Sequence, residues 1–131
     1  MNNFRNSDTA LLLLRLVFGA AMIYGHGWGK LTRLLGDEPI KFADPFGFGP
    51  EASLVLVVIA EVLCAALLMA GLFTRYVTIP LIITMAVVVF IAHIDDPFNR
   101  MEKGVLYLAA YLSLFLMGPG KYSLDTLIRK R

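Results

Sequence analysis

One cysteine and two histidines are the only thiol and imidazole side chains in this chain. A lone Cys64 excludes an internal disulfide, a CxxC redox pair and a cysteine-built zinc cluster. Charge is scarce as well. Twelve Lys and Arg stand against ten Asp and Glu, and a net charge of +2 is too small to bring the chain to nucleic acid. The sequence has no internal repeat, no flavin motif and no composition shift that would mark a second domain, so residues 1–131 read as one domain. What remains is apolar: 58% of the residues are hydrophobic and the mean hydropathy is +0.71. A soluble domain of 131 residues would expose too much of that surface, whereas a polytopic membrane protein would not.

The apolar residues fall into four stretches, which predict helices at about 9–31, 50–72, 76–93 and 101–117. The expected fold class is all-α, an integral-membrane four-helix bundle with antiparallel up-down order. The first stretch does not read as a signal peptide, because Arg15 interrupts it and three more apolar stretches follow. Asp8 or Thr9 is its expected N-cap. Residues 32–49 form a connection rich in Gly, Pro and charge. Its Phe42, Phe46 and Phe48 suit it to the membrane interface, either as a lid over the bundle or as an ordinary interfacial loop. Residues 73–75 are a very tight turn, making the second and third helices antiparallel neighbours. Pro80 falls in the first turns of the third helix, where a missing hydrogen bond costs least. Gly118-Pro119-Gly120 stops the fourth, and the tail KYSLDTLIRKR reads as a short surface helix capped at Ser123. Arg5, Arg75, Lys121, Arg129, Lys130 and Arg131 lie on one side, against Lys30, Arg33, Lys41, Arg100 and Lys103 diluted by seven acids on the other. By the positive-inside rule both termini are cytoplasmic.

The stretch TALLLLRLVFGAAMIYGHGWGKL carries Arg15, His26 and Lys30 through an otherwise apolar span. Positions 15, 22 and 26 lie within roughly 40° of one another on a helix, so the polar stripe faces one way and calls for an acid on a neighbour. Glu61, near the middle of the second helix, is the expected partner of Arg15. His93 closes the third helix and Glu102 opens the fourth. The expectation is a polar site in the outer half of the bundle, lined by His26, Lys30, Glu61, His93 and Glu102 with Arg15 beneath. Each residue also has a plain structural reading: a register-fixing ion pair for Arg15 and Glu61, a snorkelling Lys30, water-exposed helix ends at His93 and Glu102. Tyr24, Trp28, Tyr107 and Tyr111 read as interfacial or core aromatics, and Cys64 as a packing residue. Two histidines on different helices could also hold haem or copper.

These residues carry a likeness. Arg15 with Gly19, then His26-Gly27 and Lys30-Leu31, resembles the first-helix pattern of the DoxX family. Glu61, Gly71-Leu72 with Thr74-Arg75, Met85, His93 and Pro97-Phe98 are similar to its later blocks, as is the close, Gly118-Pro119-Gly120 with Ser123-Leu124-Asp125. The resemblance runs from Leu12 to Asp125. It implies a small bacterial inner-membrane protein of four helices. Related DoxD-type subunits are linked to quinone reduction by thiosulfate, and some members to membrane complexes that defend against oxidative and thiol stress. Carried onto this chain, it points to His26, Lys30, Glu61 and His93.

The leading expectation is therefore a quinone-linked oxidoreductase subunit. His26 or His93 would exchange protons with a quinone oxygen, the ordinary imidazole pKa near ~6.5 suiting the task. Glu61 and Glu102 would relay protons, Arg15 would hold Glu61 ionised, and electrons would come from a bound haem or a membrane or periplasmic redox partner. The alternative is a non-catalytic anchor or scaffold for redox or oxidative-stress enzymes. The glycine-rich first helix can pack within one bundle or against a second protomer, so a homo-oligomer stays open.

Overall fold

A computed structural model describes residues 2–131, with side chains from Asn6 onward; Met1 and the Arg5 side chain lie outside it. Every regular element among the described residues is helical. The first helix, α1, runs through Asn2–Met22, Ile23–Gly27 and Trp28–Leu35 without a break. The second, α2, covers Pro50–Ala70; α3 covers Thr74–Ala92; α4 covers Phe98–Met117; a short α5 covers Leu124–Arg129. Three of these, taken over Asn6–Leu35, Pro50–Ala70 and Thr74–Ala92, are long and apolar enough to cross a membrane. The 20-residue α4 matches them in length but carries Arg100, Glu102 and Lys103 in its opening turns.

Two boundaries differ from the sequence reading. α1 starts well before Asp8, so Asp8 is no N-cap; its carboxylate instead accepts the Lys121 backbone N–H at 2.9 Å. α1 also runs a turn past Leu31, because TRLL continues the helix until Gly36 leaves it in extended backbone. Consecutive helices reverse direction, the start of α1 packing against the end of α2 and the end of α1 against the start of α2. α3 packs on α2 and α4, and α4 returns to α1. The Asp8–Lys121 contact brings the two termini to the same end, called here the tail end. The loop 36–49 and the α3–α4 connection lie at the other, the loop end.

In lipid, helices gain little from apolar contact alone, so close approach must do more. Gly27 shows how. A Cβ there would stand 2.8 Å from the Glu61 carbonyl oxygen, so only glycine lets α1 and α2 meet at that level. Below them Met22, Leu68, Leu81, Tyr111 and Leu114 fill the centre, all fully buried. The Tyr111 hydroxyl donates to the Phe18 carbonyl at 3.1 Å and ties α4 to α1.

Gly71 ends α2 in the left-handed region at φ 73°, and Leu72 N–H returns to the Leu67 carbonyl at 3.0 Å, a Schellman closure. Phe73 is also left-handed, at φ 52°, which costs a non-glycine residue free energy. Asp125 holds that turn by accepting from Phe73 N–H at 2.8 Å and Thr74 N–H at 2.9 Å, which caps α3 from the far end of the sequence. Pro80 lies in the second turn of α3, and its carbonyl accepts the Thr84 hydroxyl at 2.8 Å.

Candidate functional site

Each of the three helices long and apolar enough to cross a membrane contains one widened, π-type turn: Ile23–Gly27 in α1, Ile59–Cys64 in α2 and Val88–Ala92 in α3. Such i→i+5 turns are rare and gather at functional positions. Here the first holds His26, the second holds Glu61, and the third ends immediately before His93. The first two pack on each other through Gly27.

Glu61 is 1% exposed at the middle of α2. Lys30, a turn beyond the α1 widening, reaches down to it. Its ammonium donates to both carboxylate oxygens, at 2.8 Å to Oε1 and 2.7 Å to Oε2. The lysine is a quarter exposed, so the pair has one sealed side and one open side. The open side is the wall of a pocket of about 730 Å³ between α2, α3 and the loop 36–49. Its walls are apolar, with Leu56, Val57, Ala60, Ile83, Val87 and Ile91 from the two helices. An opposite-charge pair at 2.7 Å is close to neutral seen from the pocket, yet it keeps a donor and an acceptor for a ligand.

The loop covers this pocket with Phe42, Phe46 and Phe48. Its fold comes from Asp44. That carboxylate accepts Phe48 N–H at 2.8 Å, Gly49 N–H at 2.9 Å and the Ser53 hydroxyl at 2.9 Å. The loop is thereby clamped to the first turn of α2, where Pro50 cannot donate and an anion faces the positive end of the helix dipole. The Gly49 N–H, helped by the Ser53 hydroxyl and the N–H groups of Phe48 and Gly47, holds the Asp44 carboxyl below its ordinary range against the opposing effect of burial.

The other expected site residues lie elsewhere. Arg15 does not pair with Glu61. Its guanidinium donates to three carbonyls at the tail end, those of Leu68 and Met69 at the foot of α2 and of Tyr122 before α5. Of the stripe 15, 22 and 26, Arg15 and Met22 are fully buried and His26 is not, and what Arg15 meets is backbone, which sequence does not display as an acceptor. Lys30 is the cation at Glu61. His26 is half-buried on the opposite flank of α1, edge-to-face with Tyr107 at 5.5 Å in a groove that also contains Lys103. His93 closes α3 and bonds through Nδ1 to Asp96 at 2.6 Å, in a partly exposed turn. Glu102 is exposed on the first turns of α4 and lines neither hollow. Of the six, the structure brings together Lys30 and Glu61. Cys64 is buried in α2, as its apolar surroundings led one to expect.

His26 lines the α1–α4 groove and His93 lines neither hollow, and among the described residues no three His, Cys, Asp or Glu side chains converge. Sequence reasoning passed over Asp44 and Ser53. The available signal was an acid a few residues ahead of a Gly-Pro helix start, with a serine in the first turn after it.

Comparison with known proteins agrees with this helical, membrane-length architecture. The family profile described as DoxX matches residues 10–94. An uncharacterized protein of Haemophilus influenzae is 32% identical over 131 aligned residues, covering 95% of this chain and 86% of the relative. No solved structure matches the chain.

Proposed function

The chain belongs to the DoxX family, and on that premise we propose that it is a bacterial inner-membrane protein whose Lys30–Glu61 pocket binds a quinone as part of an oxidoreductase. In this reading α4 is a fourth span with Arg100, Glu102 and Lys103 at the headgroups, and both termini are cytoplasmic. The pocket then opens in the outer half of the bilayer.

The observation that carries the proposal is the doubly hydrogen-bonded Lys30–Glu61 pair at the wall of an apolar pocket of about 730 Å³. A charged ligand entering there would leave one member of a buried pair uncompensated, at a cost of about 3–5 kcal/mol. A neutral ring with polar oxygens adds no charge, so as the quinone it can accept from Lys30, and as the quinol its hydroxyl can donate to Glu61, while the pair stays together. The apolar walls of α2 and α3 suit a ring and the start of its chain, and the phenylalanines of the loop exclude water above it. A bound quinone supplies two-electron, two-proton chemistry. The protein supplies a donor at Lys30 Nζ, an acceptor for the quinol hydroxyl at Glu61 and a dry cavity. Electrons come from a membrane or periplasmic partner protein, and the two protons that reduction takes up come from water.

The full-length protein, purified in mild detergent, is extracted and assayed for quinone by mass spectrometry, then titrated with a short-chain ubiquinone. Wild type retains or binds about one quinone per chain, and Lys30→Met, which removes the donor to the ring oxygen, binds at least about tenfold more weakly, the loss of one charge-assisted hydrogen bond. A folded wild type that neither carries quinone nor binds it sinks the proposal. A second reading, a non-catalytic scaffold for redox enzymes, draws on Arg15 and Asp125, whose charges are spent on backbone groups. It predicts that partner proteins still co-purify with the Lys30→Met/Glu61→Gln double variant at wild-type level.

A further inference from the structure

A second hollow lies on the other flank of α1. It is a shallow groove of about 510 Å³ between α1 and α4. Ala20, Ala21 and Gly25 floor it from α1, while Lys103 and Tyr107 wall it from α4, with His26 between. The polarity is graded along the groove. Lys103, in the opening turns of α4, sits at the loop end, where a membrane meets water; Ala20 and Ala21 lie deeper by a turn or more, about 6–9 Å. Among the described residues Lys103 makes no ion pair. Lys30 and Lys103 both lie within electrostatic reach of His26, and Lys30 is already taken by Glu61. Glu102, the adjacent acid, projects about 100° round the helix and is absent from the lining. The groove therefore offers one unpaired cation, an imidazole and a phenol above a small-residue channel that faces lipid. Tyr24 and Trp28, largely exposed beside it, have the place and chemistry of an interfacial aromatic belt.

We propose that this α1–α4 groove is a binding site for an anionic phospholipid, with the headgroup phosphate at Lys103 and His26 and one acyl chain along Ala21 and Ala20. Charge complementarity selects the occupant. A zwitterionic lipid carries its own cation and would meet Lys103 with no net attraction, and a soluble anion would leave the apolar channel wet. A basic residue near a membrane surface favours anionic lipid by about fivefold.

Native mass spectrometry of the full chain in detergent, with added phosphatidylglycerol or phosphatidylcholine, tests this. Wild type retains one phosphatidylglycerol in preference to phosphatidylcholine. Lys103→Gln weakens that retention about fivefold, and Ala21→Trp, which fills the channel and leaves every charge in place, abolishes it. The tail variant Arg129→Gln/Lys130→Gln, which removes charge from α5, keeps it. Equal retention of the two lipids overturns the proposal. So does a wild-type result for either groove variant, a loss that follows the tail variant instead, or displacement of the lipid by inorganic phosphate.

Discussion

The two ends of this molecule bury charge in opposite ways. At the tail end Arg15 is fully enclosed, and the acceptors the structure gives its guanidinium are the backbone carbonyls of Leu68, Met69 and Tyr122. Asp125 accepts two backbone N–H groups from the α2–α3 turn, and its own N–H donates to the Gly71 carbonyl at 2.9 Å. A Cβ on Gly71 would strike both the Arg15 guanidinium and Ser123, which shows how tightly the knot is drawn. At the loop end Lys30 and Glu61 have each other, and beside them lies open volume. A buried ion is thus weak evidence of a site by itself. Its partner decides: backbone partners consume the charge in joining elements, whereas a side-chain partner at a cavity wall leaves it addressable.

Substitutions can break the contrast, and the largest effect belongs to the tail end. Arg15→Gln strips three carbonyls of a charged donor, at on the order of 4 kcal/mol in sum. Thermal unfolding in detergent should show it as the least stable single variant, while protein that folds binds ligand in the Lys30 pocket normally. Lys30→Met comes next. It leaves a carboxylate in an apolar wall, which recovers part of the loss by taking up a proton, so about 2 kcal/mol is expected. Glu61→Gln costs about 1 kcal/mol, because the lysine it releases can extend to the headgroups. The double variant is more stable than Lys30→Met alone, the mark of an ion pair replaced by neutral groups. A double variant no better than the single would break the pairing argument.

Asp125 supplies a smaller, pH-dependent effect. Burial pushes its carboxyl up, but the N–H groups of Thr74 and Phe73, helped by Arg129, outweigh that and hold it below the ordinary carboxylate range. A group lowered on folding stabilises above its unfolded pKa of about 4, and the contribution fades as pH falls through the folded value. The stability gap between wild type and Asp125→Asn should therefore be full at pH 6 and close toward pH 3. Asp125→Ala removes the cap at about 1 kcal/mol. His93→Ala is the smallest change: its bond to Asp96 is partly exposed and worth less than about 1 kcal/mol. Quinone binding unchanged in that variant, read by the same titration, would place His93 outside the site; a tenfold loss would bring it back in.

The apolar stretches made the all-helical, membrane-length architecture readable, because hydropathy over twenty residues is a strong signal. Glu61 and Lys30 could be singled out for the same reason, each being a charge within or at the end of such a stretch. Their pairing could not. Arg15 and Lys30 were both available to Glu61, and the choice turns on the register that sets Gly27 against Glu61, which leaves Lys30 a turn away and Arg15 about 18 Å down the helix. The Arg15 contacts were hidden because carbonyls carry no residue label. The Asp44 clamp was hidden because its partners are backbone N–H groups in a loop without helical periodicity.

The widened turn at Ile23–Gly27 also bears on insertion and deletion. Relative to a regular helix it winds one extra residue into a turn, and one residue of α-helix is about 100° of rotation. Deleting a residue such as Gly25 would turn the widened stretch into a regular one, and the residues beyond would keep their phase, with the position of Lys30 still facing Glu61. The same deletion in a regular turn of α1, at Ala20 for example, would swing everything beyond by that angle and carry Lys30 off Glu61, while Arg15 and the tail-end knot kept their places. The widened turn is thus a spare link, a place in α1 where the chain can lose a residue and keep the pocket pair.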